Sequence, residues 1–176
     1  PWGKGRPGWH IECSAMAQRY LGETLDIHGG GLDLIFPHHE NELAQSESCN
    51  DLSFANYWLH HGLLTINAQK MSKSSGNFLT IQDFISKYAQ TSALKIFFLS
   101  THYSHPIDYN EDRIRESLQA LERITIFLNK ARNASSGIRD IPSSKFPELE
   151  SLKDKFTEQM DDDFSTPGGL AVIFDL

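Results

Sequence analysis

The sequence predicts an α/β domain that passes into a run of helices, and three observations carry that prediction. Short helical patterns alternate with short β-like runs over roughly the first 80 residues, and apolar periodicity near 3.6 takes over after Thr80. The 176 residues, 39% hydrophobic and 22% charged, are also enough to bury a core. Disordered and collagen-like classes are excluded on that composition. No apolar run approaches the roughly 20 residues of a membrane helix, and the segment from Pro1 to Pro7 lacks the apolar stretch of a signal peptide. No membrane association is expected. Cys13 and Cys49 make no disulfide framework, so a reducing, cytoplasmic setting is expected.

Each element follows from local pattern. From Gly8 to Tyr20, apolar Trp9, Ile11, Ala15, Met16 and Tyr20 recur at helical spacing, with Gly22 as the stop. Thr24 to His28 reads as a strand leading into the triplet Gly29, Gly30 and Gly31. Pro37 suits the first turn of a helix running to Ser46. Tyr57 to Ile66 is the next strand, and Lys70 to Asn77 (KMSKSSGN) a polar loop. Thr80 to Asp83 approximates a capping box, with Asp where Glu or Gln is usual, before a helix to Tyr88. Ser92 to Ser100 and Asn110 to Arg132 are further helices, the latter with Ile114, Leu118, Leu121, Ile124, Ile126, Leu128 and Ala131 on one face. Residues 134–147 read as a linker, with a new helical unit from Pro147. The chain starts without Met and ends inside an apolar helical pattern, so it reads as a fragment.

The net charge is −7, and residues 141–176 alone hold 3 basic against 8 acidic side chains. There is no long basic stripe, so any nucleic-acid contact must be local or lean on other parts of the molecule.

Several residues carry chemistry in their type. His38 and Glu42, four apart on a helix, can converge on one ion; the same spacing also gives a solvated surface pair. Cys13 is either a third ligand or a small buried hydrophobe. His39 is expected to point away from His38, and Cys49 to be a bystander. The glycine triplet before Asp33 lets backbone approach a nucleotide while a carboxylate reaches ribose hydroxyls, and is equally a structural turn. It is neither a GxGxxG nor a GxxxxGK[ST] motif. Lys70 and Lys73 sit on a loop able to close over a phosphate chain, or in an ordinary solvated turn. The run Asp161, Asp162 and Asp163 reads as a helix end rather than a Mg²⁺ site, because consecutive residues diverge.

KMSKS resembles the second signature of class I aminoacyl-tRNA synthetases. Together PGWHIECSAM, DIHGGGLDLIFPHHENELAQSE, KMSKSSGNF and FTEQMDDDFSTP resemble the cysteinyl-tRNA synthetases over nearly the whole chain. The fold implied is the C-terminal half of a Rossmann-like class I catalytic domain over 1–79. An α-helical stem-contact region follows over 80–140, then a linker and the start of a helical tRNA-binding domain over 141–176.

The resemblance implies residue roles. Cys13, His38 and Glu42 match three ligands of the family's single zinc, with a second Cys and the HIGH signature expected upstream, so this chain alone is expected to be inactive. Trp9 matches an aromatic beside the substrate, and is otherwise a core anchor of its helix. Lys73, with Lys70 secondary, matches the contacts to the leaving phosphates of ATP·Mg²⁺. Gly29, Gly30, Gly31 and Asp33 lie where the family binds adenosine, with His28 adjacent. The implied partners are L-cysteine, ATP and tRNA(Cys), and the implied state a monomer. Arg113, Arg115, Arg123, Lys130 and Arg132 are either phosphate contacts or a solvent face.

A metal suits this substrate, because pocket shape separates near-isosteres only about 100-fold, whereas sulfur and oxygen differ strongly as zinc ligands. Two other activities compete. A cysteine ligase of mycothiol synthesis shares Trp9, His10 and KMSKS but typically lacks the carboxylate ligand. A non-catalytic RNA-binding paralogue would usually have lost signature residues.

Overall fold

The computed structural model describes residues 3–71, 76–135 and 146–176. These form two compact units, residues 1–63 and 64–176.

In the first unit, α1 (Trp9–Leu21) stops at Gly22, whose φ of 104° is available to glycine. Strand β1 (Leu25–Gly31) pairs in parallel with β2 (Ala55–His61), in a register that runs from Leu25 opposite Ala55 to Gly31 opposite His61. The strand therefore continues through the whole glycine triplet instead of turning at it. The reason is room: a Cβ on Gly29 would lie 2.5 Å from the Leu59 carbonyl oxygen of the neighbouring strand. Between the strands the chain passes through a short turn, Leu32–Leu34, and a wide turn, Ile35–His39, into α2 (Glu40–Asn50). The regular helix begins later than the sequence suggests. Phe36, preceding Pro37, is extended (φ −132°, ψ 132°), as a pre-proline residue prefers to be. Helices α1 and α2 are joined by polar side chains, with the Ser14 hydroxyl donating to Gln45 Oε1 at 2.8 Å and Gln18 Nε2 to Asn50 Oδ1 at 2.8 Å.

The expected single strand over 57–66 is two strands in separate sheets, broken at Gly62, where a missing side chain weakens a strand interior. In the second unit β3 (Leu64–Ile66) pairs antiparallel with β4 (Gln69–Lys70) and parallel with β5 (Ile107–Tyr109). Helices α3 (Ile81–Tyr88), α4 (Thr91–Leu99) and α5 (Glu111–Ser135) enclose a core of Ile66, Phe84, Ala93, Phe97, Ile107, Tyr109 and Ile114. Burying a side chain the size of Phe84 or Phe97 contributes roughly 1.5–3 kcal/mol. The Asp83 carboxylate is long enough to close a full capping box, accepting from the Thr80 amide at 3.0 Å while the Thr80 hydroxyl accepts from the Asp83 amide at 3.0 Å. On α5 only the first half of the apolar face is covered: Ile114 is buried, while Ile126 and Leu128 are exposed. Helices α6 (Pro147–Asp161) and α7 (Thr166–Phe174) complete the unit. Among the described residues no helix is long and apolar enough to cross a membrane.

Asp108 holds the segment from which the lysine loop departs. Asn67 and Ala68, at the tip of the β3–β4 hairpin, both have positive φ (50° and 60°), as a two-residue type I′ turn requires. Ala68 has none of glycine's freedom, and the Asp108 carboxylate holds it there by accepting its N–H at 2.6 Å. Asp108 also accepts from the Thr65 hydroxyl at 2.6 Å and from Asn110 Nδ2 at 3.0 Å. The Thr65 hydroxyl first, then the Ala68 amide and Asn110, hold the Asp108 carboxyl below its usual value of 3.8. A depressed folded pKa means that the contribution is fully present above that value and lost as pH falls through it. Asp108→Asn is therefore expected to lower stability at pH 6, with the gap to the parent shrinking below pH 3.8. Urea unfolding curves at pH 6 and pH 3 check this; an equal gap at both pH values contradicts it.

Candidate metal and substrate site

The interior of the first unit is polar. Among the described residues it buries Ser14, His38, His39, Glu42 and Ser46, against only Leu25 and Phe54 as large buried hydrophobics. Six of the eight histidines in the sequence lie in its 63 residues.

Helix α1 supplies Trp9, His10 and Cys13. The wide turn and α2 supply His38, His39 and Glu42, β1 supplies His28, and β2 supplies Trp58 and His60. Cys13, His38 and Glu42 each aim a ligand atom at one point, all within 4.8 Å of one another. His38 Nε2 lies 3.6 Å from Glu42 Oε1. Two ligands on a tetrahedral zinc at about 2.0–2.3 Å stand roughly 3.3–3.8 Å apart, so this pair is already at coordinating separation. The soft sulfur, the imidazole and the carboxylate together are a zinc donor set, and three protein ligands leave room for a fourth.

Glu42 is the centre of the arrangement and is only 1% exposed. Its ion-pair partners among the described residues are all imidazoles. The His28 Nε2–H donates to Oε2 at 2.9 Å, and His39 Nε2 stands 4.0 Å from the same oxygen. Because a carboxylate only accepts, His28 must be protonated on Nε2, which leaves Oε1 for His38 and an ion. His28, His39 and Glu42 form a second convergent triple sharing that carboxylate.

The other side of His38 is also fixed. His10 Nδ1 lies 2.7 Å from His38 Nδ1, and the Trp9 ring lies tilted by 31° against the His38 ring at 4.3 Å between centroids. With Nε2 free for coordination, His38 carries its proton on Nδ1 and donates to His10, the usual way a ligating histidine is oriented. His39 Nδ1 meets His60 Nε2 at 2.8 Å. Burial first, then the neighbouring His28, His60 and His38, hold His39 below its usual range despite Glu42. It is therefore a neutral hydrogen-bonding bridge.

Burial pushes the Cys13 thiol up, and the Glu42 and Glu12 carboxylates push it further. The Cys13 sulfur lies within 4.8 Å of the Glu42 carboxylate, and a thiolate beside a buried carboxylate is unfavourable unless a cation stands between them. The charge arrangement thus calls for an ion of opposite sign.

Of the residues singled out from sequence, Cys13, His38 and Glu42 converge. Trp9 is 59% exposed and lies over His38, so it is not a core anchor. Gly30 and Gly31 border the same cluster: a Cβ on Gly30 would sit 2.9 Å from His39 Cε1, and one on Gly31 would collide with Asp33 Oδ1. Asp33 itself is exposed in the short turn. Cys49 is exposed and apart from the cluster. Lys70 pairs its backbone with Thr65 in the second unit, and Lys73 lies outside the described residues. His39 does not turn away as expected; the wide turn before α2 swings it inward, where it is 5% exposed. His60 escaped sequence reasoning and His10 was named there without a role in the site, although the concentration of histidines at 10, 28, 38–39 and 60–61 was a usable signal.

Residues 1–119 match the family model for the tRNA synthetases class I (C) catalytic domain. The chain belongs to that family. Residues 155–176 match the DALR domain. Proteins named Cysteine--tRNA ligase from Geobacter metallireducens and Geobacillus thermodenitrificans are each 50% identical over all of this chain, and one from Geobacter sulfurreducens is 51% identical. The chain spans 37–38% of the length of these relatives. The fold is also similar to the LeuRS of Agrobacterium radiobacter K84 in a crystal structure of its ternary LeuRS-tRNA-LeuAMS complex. The TM-score is 0.70 at 18% identity, covering 85% of this chain and 22% of that one. The class I synthetase architecture expected from sequence, with a helical DALR segment after it, is what these matches show.

Gly30 links the sheet to the cluster. Gly30→Ala is expected to push His39 away from His60 and Glu42 and to destabilise the protein by about 1–3 kcal/mol, the range for an overpacked site. Thermal unfolding checks this, and an unchanged midpoint contradicts it.

Proposed function

We propose that this chain is the catalytic and stem-contact portion of a cysteine–tRNA ligase. The enzyme activates L-cysteine with ATP and transfers it to tRNA(Cys), acting as a monomer in the cytoplasm. The observation that carries the reading is the convergence of Cys13, His38 and Glu42 within 4.8 Å, with His38 and Glu42 buried and Cys13 half-buried. Residues 1–79 are read as catalytic domain, 80–140 as the stem-contact region and 141–176 as the approach to the helical domain. The names of the relatives favour this over an amino-sugar ligase, and the retained Cys13, His38, Glu42 and Lys73 over a non-catalytic paralogue.

Cys13, His38 and Glu42 are the residues that would hold a zinc ion. A zinc bound there supplies a Lewis acid that prefers a thiolate to a hydroxyl, which separates cysteine from serine without editing. The chain's own residues then do the positioning. His28 and His10 hold the carboxylate and the imidazole in fixed orientations, so little reorganisation is needed when the substrate enters. Trp9, exposed over His38, offers a flat apolar wall to the substrate side chain.

Activation itself is attack of the cysteine carboxylate on the α-phosphate of ATP·Mg²⁺, with pyrophosphate leaving. The 3′-terminal ribose of the tRNA then displaces AMP. No protein nucleophile is required, and positioning with charge stabilisation is the whole task. In this reading Gly29, Gly30, Gly31 and Asp33 receive the adenosine, and Lys73, assisted by Lys70, meets the leaving phosphates.

In the intact enzyme, His38→Ala and Glu42→Ala are each expected to weaken zinc retention at least 10-fold and to lower the cysteine-over-serine preference with it. Zinc content after chelator challenge and competitive activation assays measure the two; if both stay unchanged, the ligand assignment is wrong. Lys73→Ala is expected to slow ATP–pyrophosphate exchange by about 100-fold with zinc content intact. Exchange at the parental rate would remove Lys73 from the phosphate site.

A further inference from the structure

The third aspartate of the run Asp161, Asp162 and Asp163 is exposed, yet both its carboxylate and its carbonyl are engaged by side chains from another segment. Helix α6 ends at Asp161, and Asp163 and Phe164 both take left-handed backbone (φ 49° and 55°) before α7 begins. There the Tyr103 hydroxyl donates to Asp163 Oδ1 at 2.7 Å, and the His102 ring donates to the Asp163 carbonyl oxygen at 2.8 Å through Nε2. The tautomer is fixed by the other ring nitrogen. The Ser104 amide donates to His102 Nδ1 at 3.3 Å, so Nδ1 is an acceptor and Nε2 carries the proton. His102 and Tyr103 belong to the α4–β5 loop and fall within the catalytic-domain match over 1–119. Asp163 falls within the DALR match over 155–176.

Packing alone does not fix α7 against the rest of the unit. Between α7 and the helices α4 and α5 lies a cleft of about 330 Å³, lined by Ile96, Ser100, Arg113, Ser117, Leu170 and Phe174. At the far end of α7 the Arg123 guanidinium stands 4.7 Å from the centre of the Phe174 ring. The helix touches α4 beside the cleft and is fastened at its two ends, by the Asp163 contacts before it and by the Arg123–Phe174 contact at its close. The α6–α7 corner is stiff in itself. Gly169 packs on α6 so closely that a Cβ there would lie 3.1 Å from the Phe156 ring, and a Cβ on Gly168 would collide with Gln159 Oε1. A stiff corner fastened at its apex turns as one body when the fastening is released.

We propose that His102, Tyr103 and Asp163 form a latch between the catalytic-domain segment and the DALR segment, and that Tyr103 and Asp163 are positioning residues which set the angle of α6–α7 and thereby the seating of the tRNA. The tRNA part of this inference rests on the ligase reading above; the latch itself does not.

The test uses the intact protein with Tyr103→Phe, Asp163→Gly and the double variant. Glycine keeps the left-handed backbone and the carbonyl that His102 reaches, and deletes the carboxylate, which meets the Tyr103 hydroxyl and stands 3.8 Å from His102 Nε2. The Tyr103–Asp163 bond is charge-assisted but partly exposed. Amide hydrogen exchange over Thr166–Phe174 is therefore expected to quicken about three- to tenfold in each single variant. The double variant should be no faster than the faster single one, while α3 and α4 amides keep parental rates, which excludes general unfolding. Unchanged exchange in α7, or additive effects in the double variant, overturns the latch.

In charging assays the KM for tRNA is expected to rise by a similar factor with ATP–pyrophosphate exchange unaltered. Faster α7 exchange with an unaltered tRNA KM overturns the positioning role. Parental protein that shows no cysteine-dependent ATP–pyrophosphate exchange defeats the ligase reading instead, and leaves the hydrogen-exchange result to decide the latch.

Discussion

The first unit is organised around a carboxylate with almost no access to water. Burying an ionised Glu costs several kcal/mol unless the surroundings return what hydration gave it, and here the surroundings are imidazoles. His28 donates to one oxygen of Glu42, His38 faces the other, and His39 stands beside the first while bridging to His60. Each imidazole is in turn oriented by a neighbour on another element. Glu42 thus ties together the helix that carries it, the turn before that helix and the first strand, while Cys13 brings in α1. Replacing this arrangement with hydrophobic packing would hold the same elements together with less desolvation.

The glycine-bearing strand serves the same centre. In a parallel pair the adjacent strands must approach closely, and the Gly29 to Gly31 segment does so while also making room for His39 and for the Asp33 carboxylate on its exposed side. The segment therefore meets separate demands in turn, Leu59 across the sheet at Gly29, His39 at Gly30 and Asp33 at Gly31.

The second unit is organised differently, around a small hydrophobic core that supports the β3–β4 hairpin. Phe84, Phe97, Ile107 and Ile114 provide the support, and Asp108 fastens the hairpin from which Lys70 leaves. Asn77, on the far side of the loop, donates back to the Ile66 and Gln69 carbonyls at 3.4 Å. Both ends of the segment are thus tied to one hairpin. At the C-terminal end polar contacts again take over from packing, at Asp163 and at Arg123 with Phe174.

Much of this was determined by sequence alone. Helical periodicity, Gly22 and the order of elements follow from short-range sterics and from apolar spacing, which act within a few residues and so can be read along the chain. The spacing of His38 and Glu42 is local and could be read in the same way, whereas Cys13, on another helix, was joined to them only through the family resemblance. What only the tertiary structure decided is how residues distant in sequence complete one another. The Phe36 backbone delayed α2 and swung His39 inward, Gly62 divided one apparent strand between two sheets, and His10, His28 and His60 became partners of the ligands. The pairing of Tyr103 with Asp163 spans 60 residues. Such contacts depend on where whole elements come to rest, and no local propensity of a tyrosine or an aspartate encodes that position.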